Sequence, residues 1–251
     1  MNVEICAYSL ESSINAQKSG AVRVELCGGP AEGGTTPSAG MIEAVREVIQ
    51  IALYVMIRPR GGDFVYNQDE FQTMKRDIEF ARKAGVDGVV LGVLLPDGRV
   101  DSERTRELVQ YAHPLGVTFH RAFDLTPDPL EALEAVILTG TERILTSGQQ
   151  PNAPAGASLL AELVLQANKR IEIMAGGGVS ATNALALAAT GVDALHLTGK
   201  SFRAGQQTYF PPNISMAGEI ADERTIMYSD LARIEAVVQL FDQKVDSGNS
   251  N

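Results

Sequence analysis

Short apolar runs rich in β-branched residues alternate with longer amphipathic segments along most of the chain. The strand-like runs fall near residues 3–8, 22–27, 52–58, 87–93, 116–120, 143–146, 171–175 and 194–198. Most begin roughly 20 to 35 residues after the previous one, about the length of a βα unit in the eight-stranded α/β barrel. Helix punctuation fills the gaps. Asn67-Gln68-Asp69-Glu70 has the form of a capping box ahead of Phe71, Met74 and Ile78, and Gly85 closes that segment. Asp128-Pro129-Leu130-Glu131 opens another with proline in its first turn, and Gly140 ends it. Asp101, Ser180 and Asp230 are further candidate caps, and Gly20 and Gly191 candidate stops. The expected fold is therefore an α/β, TIM-like (β/α)8 barrel. No Pro/Ser-rich linker divides it, so residues 1–245 are expected to form a single domain. Residues 200–227 include Gly205, Pro211-Pro212 and Gly218 and show little periodicity, so they read as a long loop after the eighth strand. Such loops are more often functional or interfacial than idle. Residues 246–251 read as a disordered tail.

Alternate residues of a strand face opposite sides of the sheet. If Val22, Val24 and Leu26 face the helices, Arg23, Glu25 and Cys27 enter the barrel. The same rule turns Glu4, Cys6 and Tyr8 inward from the first run. It does so for Met56 and Arg58 from the third, with Arg60 just beyond, and for Thr118 and His120 from the fifth. Met174 enters from the seventh, and His196 and Thr198 from the eighth. Barrel interiors are usually filled by bulky aliphatic side chains, so this one is expected to be unusually polar. Buried charges need partners, and Glu4, Arg23, Glu25 and Arg58 should pair in some combination. Glu4 and Arg23 lie low in the barrel and suit a purely structural ion pair. Glu25, Arg58 and His120 lie nearer the mouth, where ligands bind.

Composition narrows the possible partners. Of the 251 residues, 45% are hydrophobic and 21% charged, as in ordinary globular proteins with a sizeable core. A formal charge of −10 argues against general nucleic-acid affinity and against docking on anionic membranes, so neither partner is expected. No apolar run approaches a membrane span, and the N-terminus lacks the basic start and apolar stretch of a secretory signal. Cys6 and Cys27 are the only cysteines. Two thiols imply no disulfide framework, and a cytoplasmic location is expected.

The polar residues at the strand ends suggest chemistry. His120-Arg121 with Asp124 offers a proton carrier, a guanidinium for an anion and a carboxylate to orient either one. Arg58 and Arg60, two residues apart, favour an anionic ligand on one side of their loop. Thr146-Ser147-Gly148 ends the sixth strand, where a hydroxyl binds a ligand or caps a helix. Gly176-Gly177-Gly178 ends the seventh and Thr198-Gly199 the eighth. Barrels often hold phosphate with backbone N–H groups at those two loops, although glycines also serve tight turns. His196 is a second inward histidine. Cys6, Cys27 and Met56 lie inward on adjacent strands and form a soft donor set suited to Cu(I). Buried cysteine and methionine are also common simply as core, and no C-x-x-C spacing marks a metal site.

Several segments together resemble the copper homeostasis protein CutC family. They are Arg23-Val24-Glu25-Leu26-Cys27, Gly33-Gly34-Thr35-Thr36-Pro37-Ser38 and Ile57-Arg58-Pro59-Arg60-Gly61-Gly62-Asp63-Phe64, with Thr118-Phe119-His120-Arg121-Ala122-Phe123-Asp124, Leu145-Thr146-Ser147-Gly148 and Met174-Ala175-Gly176-Gly177-Gly178-Val179. The likeness runs from residue 2 to about residue 200 and thins beyond Lys200. Thr35 stands where the family usually has leucine, and His196-Leu197-Thr198-Gly199 varies its histidine-x-serine ending. The resemblance implies a TIM-like barrel, a cytoplasmic location, a role in copper tolerance or trafficking, and a homodimer or larger homo-oligomer. It also implies Cys27, with Cys6, as copper ligands. Three functions are then in competition. One is a Cu(I)-binding protein using Cys6 and Cys27. The second is a barrel enzyme acting on a small anionic metabolite, phosphorylated or carboxylated. There Arg58, Arg60 and Arg121 would clamp the anion, His120 would act as acid or base, and Glu25 or Asp124 would orient it or share the proton work. Thr146, Ser147, Gly177, Gly178 and His196 complete that candidate ligand set. The third is a barrel retained only as an interaction partner.

Overall fold

A computed structural model of the chain describes residues 1–211, 214 and 222–242. The tail read at 246–251 and Gly218 lie outside the described residues. Eight parallel strands close into a barrel in sequence order: β1 (Asn2–Ala7), β2 (Arg23–Leu26), β3 (Ala52–Met56), β4 (Gly88–Leu91), β5 (Gly116–Phe119), β6 (Arg143–Thr146), β7 (Glu172–Gly176) and β8 (Ala194–Leu197). Pairing of β1 with both β2 and β8 completes the closure. The outer layer is α1 (Leu10–Lys18), α2 (Ala39–Val48), α3 (Gln68–Lys83), α4 (Ser102–Ala112), α5 (Pro129–Ile137), α6 (Ala157–Ala167), α7 (Ala184–Ala188) and α8 (Leu231–Asp242). This is the TIM-like (β/α)8 barrel that the pattern predicts.

Local chemistry sets the element ends. Asn67 and Glu70 form a reciprocal capping box at the start of α3. The Asp101 and Asp128 side chains accept from the first backbone N–H groups of α4 and α5. Asp230 accepts from the Arg233 N–H at 3.0 Å and so caps α8. Ser180 does not cap α7. Its own N–H donates to Asn183 Oδ1, and Asn183 directly precedes the helix.

One face of each strand packs against the helices. Ile5, Val24, Leu26, Leu53, Val55, Val89, Leu91, Phe119, Ile144, Ile173 and Leu195 are fully buried in that shell. Val22 departs from the expected alternation. It lies just before β2 and is 43% exposed. The opposite faces fill the barrel with polar groups that satisfy one another at its lower end. Tyr54 crosses the interior and donates to Glu142 at 2.6 Å. Any side chain at Gly88, where β4 begins, would strike the Tyr54 ring. Arg143 reaches Glu172, Glu142 and Thr118.

The stretch read as a long loop is more ordered at its ends than the sequence announces. β9 (Lys200–Ala204) and β10 (Thr225–Ser229) pair as an antiparallel ribbon. Most of its side chains are exposed, so no alternation of buried and polar positions betrays it. Arg203 pairs with Glu11, and Asn15 donates to the Ser229 carbonyl, which ties the ribbon to α1.

Candidate functional site

A cavity of about 730 Å³ opens at the C-terminal ends of the strands. Its size falls in the range of small-molecule sites. Cys6, Tyr8, Glu25, Met56, Arg58, Phe64, His120, Arg121, Gly177, Gly178 and His196 all contribute to its wall.

A buried charge cluster occupies the β1, β2 and β8 side. Glu4, wholly buried, binds the Arg23 guanidinium with one oxygen and accepts from His196 Nδ1 at 2.7 Å with the other. Burial alone would raise the Glu4 carboxyl, but His196 and Arg23 outweigh it and hold it at about 2. The other ring nitrogen, His196 Nε2, faces Glu25 Oε2 at 3.6 Å. Burial disfavours the His196 cation, yet Glu25, Cys6 and Glu4 together push it well above the ordinary histidine range. The Cys6 and Cys27 sulfurs stand 3.9 Å apart, and Cys27 donates to Glu25 at 3.5 Å. Hydrogen bonding with Cys27 draws the Cys6 thiol well below its usual range against the cost of burial, with His196 helping. Cys27 moves the opposite way, pushed up by Cys6 and by burial. Burial, with Cys6 and Glu4 nearby, also pushes Glu25 up despite the attraction of His196. Within the cluster the shifts run in opposite senses: Glu4 and Cys6 toward their charged forms, Glu25 and Cys27 toward their neutral ones. Donor atoms of Cys6, Glu25 and His196 all lie within 4.8 Å of one another, close enough to share a metal ion.

The facing wall comes from the ends of β3 and β5. Arg58 spends its two terminal nitrogens on the carbonyls of Glu32, Gly34 and Gly62 at 2.7, 2.9 and 2.7 Å. Its Nε has no partner among the described residues. Its expected pairing with a carboxylate is therefore replaced by three backbone oxygens. His120 accepts from the Ala122 N–H at Nδ1, so the neutral ring carries its proton on Nε2, which is buried without an acceptor. Burial and the Arg58 charge press the His120 pKa down to about 3. The Phe64 ring covers both groups, 4.7 Å from the Arg58 guanidinium and 4.8 Å from the His120 ring. Gly92 is required here, because a Cβ would collide with the imidazole.

The remaining candidates are placed apart from these two clusters. Arg60 turns away from the cavity to Glu70 and Asp63. Asp124 is the hub of a loop clasp. It takes Arg121 Nε at 2.7 Å, the Thr146 and Ser147 hydroxyls at 2.5 and 3.0 Å, and the backbone N–H groups of Ser147 and Gln149. Thr146 and Ser147 are thereby fixed beneath the rim. Arg121 still borders the cavity, next to Gly177. Gly177 and Gly178 both have left-handed φ values, 99° and 75°, as their loop requires.

The CutC family model matches residues 1–201. A CutC family protein of Chromobacterium violaceum is 46% identical over 242 residues, covering 96% of this chain and 98% of its own. The chain belongs to the CutC family. A mouse relative named copper homeostasis protein cutC homolog is 41% identical over 237 residues, 94% of this chain and 87% of that one. The crystal structure of a CutC protein from Streptococcus agalactiae superposes with a TM-score of 0.76 at 38% identity, covering 79% of this chain and 98% of that one.

Of the cavity-lining residues of this CutC-family barrel that the sequence did not single out as site residues, two are basic, Lys200 and Arg233. Lys200 follows the Thr198-Gly199 turn directly, a position that could have flagged it. Arg233 lies on α8 and reads in sequence like any solvent-facing helical arginine. The donor chemistry of the charge cluster fits a soft metal. Cys6 and Cys27 supply sulfur, and His196 Nε2 supplies an imidazole whose far nitrogen is already oriented by Glu4.

Proposed function

We propose that this chain serves copper homeostasis by binding one Cu(I) ion between Cys6 and Cys27, with His196 Nε2 as third donor. The observation that carries this reading is the 3.9 Å separation of the two sulfurs beside a carboxylate-oriented histidine. With metal–sulfur bonds of ~2.3 Å, two sulfurs on a three-coordinate ion stand about 4 Å apart. A disulfide suits the backbone less well. Cys6 is in register with Glu25, two residues before Cys27. Across this parallel pair, strands ~4.8 Å apart with ~3.3 Å of rise per residue put the two Cα atoms about 8 Å apart, beyond the usual disulfide span of about 7 Å. Copper is cargo here, and the chain supplies a buried soft cradle. The reading places the protein in the cytoplasm, where thiols stay reduced.

The test is anaerobic competition against a coloured Cu(I) chelator. One ion per chain is expected. Cys6→Ser or Cys27→Ser should abolish that stoichiometry, while Arg58→Lys should retain it. Affinity should fall on acidification, because protons compete for the sulfurs and for His196. Absence of stoichiometric binding, or binding untouched by both serine variants, would overturn the proposal.

A further inference from the structure

The cavity has a charge bias opposite to that of the chain. The whole sequence carries −10, yet among the described residues the cavity wall has four Lys or Arg side chains, Arg58, Arg121, Lys200 and Arg233, against one acid, Glu25. Arg121 is already paired with Asp124. Arg58 is the informative cation: only 6% exposed, its guanidinium meets carbonyls instead of a carboxylate, and Nε has no acceptor. His120, 4% exposed, adds a second N–H without an acceptor beside it. Leaving a buried cation and a buried donor unsatisfied costs stability, and a ligand that supplies an acceptor recovers it. A low-dielectric cleft lined by one sign of charge also concentrates counter-ions of the other sign.

We infer that the barrel mouth is a binding site for a small organic oxyanion, a carboxylate or a phosphate ester, recognised by Arg58 and His120 with Lys200 and Arg233 at the rim. The Phe64 ring packs against both the Arg58 guanidinium and the His120 imidazole, so turning it aside would widen the oxyanion's access to them. Its backbone need not move, since the Phe64 carbonyl stays bonded to the Leu94 N–H at 2.9 Å. The half-buried ring borders the open cavity into which it would turn. Met56, Leu145 and Val179 give the remaining wall an apolar character suited to the body of the ligand. About 730 Å³ is far more than a metal ion needs and suits a metabolite. Cys6 and His196 border this cavity but Cys27 does not, so a Cys27 variant tests the copper reading without altering the cavity wall.

The test is a thermal-shift and calorimetry series on the reduced, metal-free protein. The probes are inorganic phosphate, a panel of small mono- and dicarboxylates, and a panel of sugar phosphates. Saturable binding to members of one panel is expected, and the responding panel names the head group. Lys200→Gln/Arg233→Gln, which alters only exposed side chains, should weaken the best probe at least tenfold. Arg58→Lys should weaken it further, and Phe64→Ala should accelerate its association. Arg60→Gln should leave it unchanged. Cys27→Ser should bind the probe as the native protein does, so a failure of copper binding and a failure of this site read out separately. No saturable response from either panel would overturn the inference. So would a response that the rim and Arg58 variants share equally with the native protein.

Discussion

Replacing His120 by asparagine should remove a defined part of the protein's acid sensitivity. In the fold, burial and the Arg58 cation press the His120 imidazole down to about 3 from its ordinary 6.5. Between those two values the unfolded chain binds a proton at this residue that the native chain does not. Stability from neutral His120 is therefore fully present above about pH 6.5 and is lost as the pH falls, at about 1.4 kcal/mol per unit. From about pH 7.5 to about pH 5 the loss comes to ~2 kcal/mol. His196 and Glu25 titrate in the other sense. Their folded values are raised, so their contributions are present at low pH and decline as pH rises through their shifted ranges. Both groups persist in the variant, and the difference between the two proteins isolates His120. Asparagine keeps an acceptor for the Ala122 N–H, which His120 now satisfies at 3.2 Å, and carries no titratable charge. Urea unfolding of both proteins across this interval is the assay. The native advantage over His120→Asn should shrink by ~2 kcal/mol toward the acid end. A difference constant with pH would refute the reasoning, as would a His120 proton resonance that titrates near neutrality.

Two further predictions follow from the barrel interior. Glu4→Gln strips the Arg23 guanidinium and His196 of their shared carboxylate. It should cost about 3–5 kcal/mol in urea unfolding, and an unshifted midpoint would remove the ion pair from the account of stability. The Glu4 carboxyl is held at about 2, so its contribution is present above the ordinary carboxylate range and disappears only as pH falls through that value. Gly88→Ala drives a methyl group into the Tyr54 ring and should cost about 1–3 kcal/mol. Tyr54→Leu should restore part of that loss, and equal destabilisation with and without the tyrosine would sink the steric explanation.

Periodicity made the barrel legible because every strand except β6 has one wholly apolar face. The same alternation placed Glu4, Cys6, Arg23, Glu25, Arg58, His120 and His196 inside. Alternation gives direction but not partners. It could not show that the terminal nitrogens of Arg58 bind carbonyls, because those belong to loops whose path depends on Gly34 and Gly62. Nor could it show that Arg60, two residues on, leaves the strand geometry and turns to Glu70. Asp124 was visible as a polar residue near the mouth, but its role as a clasp depends on bringing the ends of β5 and β6 together. The β9–β10 ribbon stayed hidden for a simpler reason: a two-stranded element exposed on both faces has no inside to encode.

The two proposed occupants would share one cavity. The closed order sets β5 opposite β1 and β3 opposite β7. His120 therefore faces Cys6, and Arg58 faces the Gly177-Gly178 loop, across one cavity. The residues the ion would use, Cys6 and His196, and those the anion would use, Arg58 and His120, all line that one cavity. Whatever factor a bound anion imposes on copper affinity, copper must impose on the anion, because linkage is reciprocal. Copper titrations with and without a saturating anion probe measure that factor, and identical affinities would show the two sites to be uncoupled.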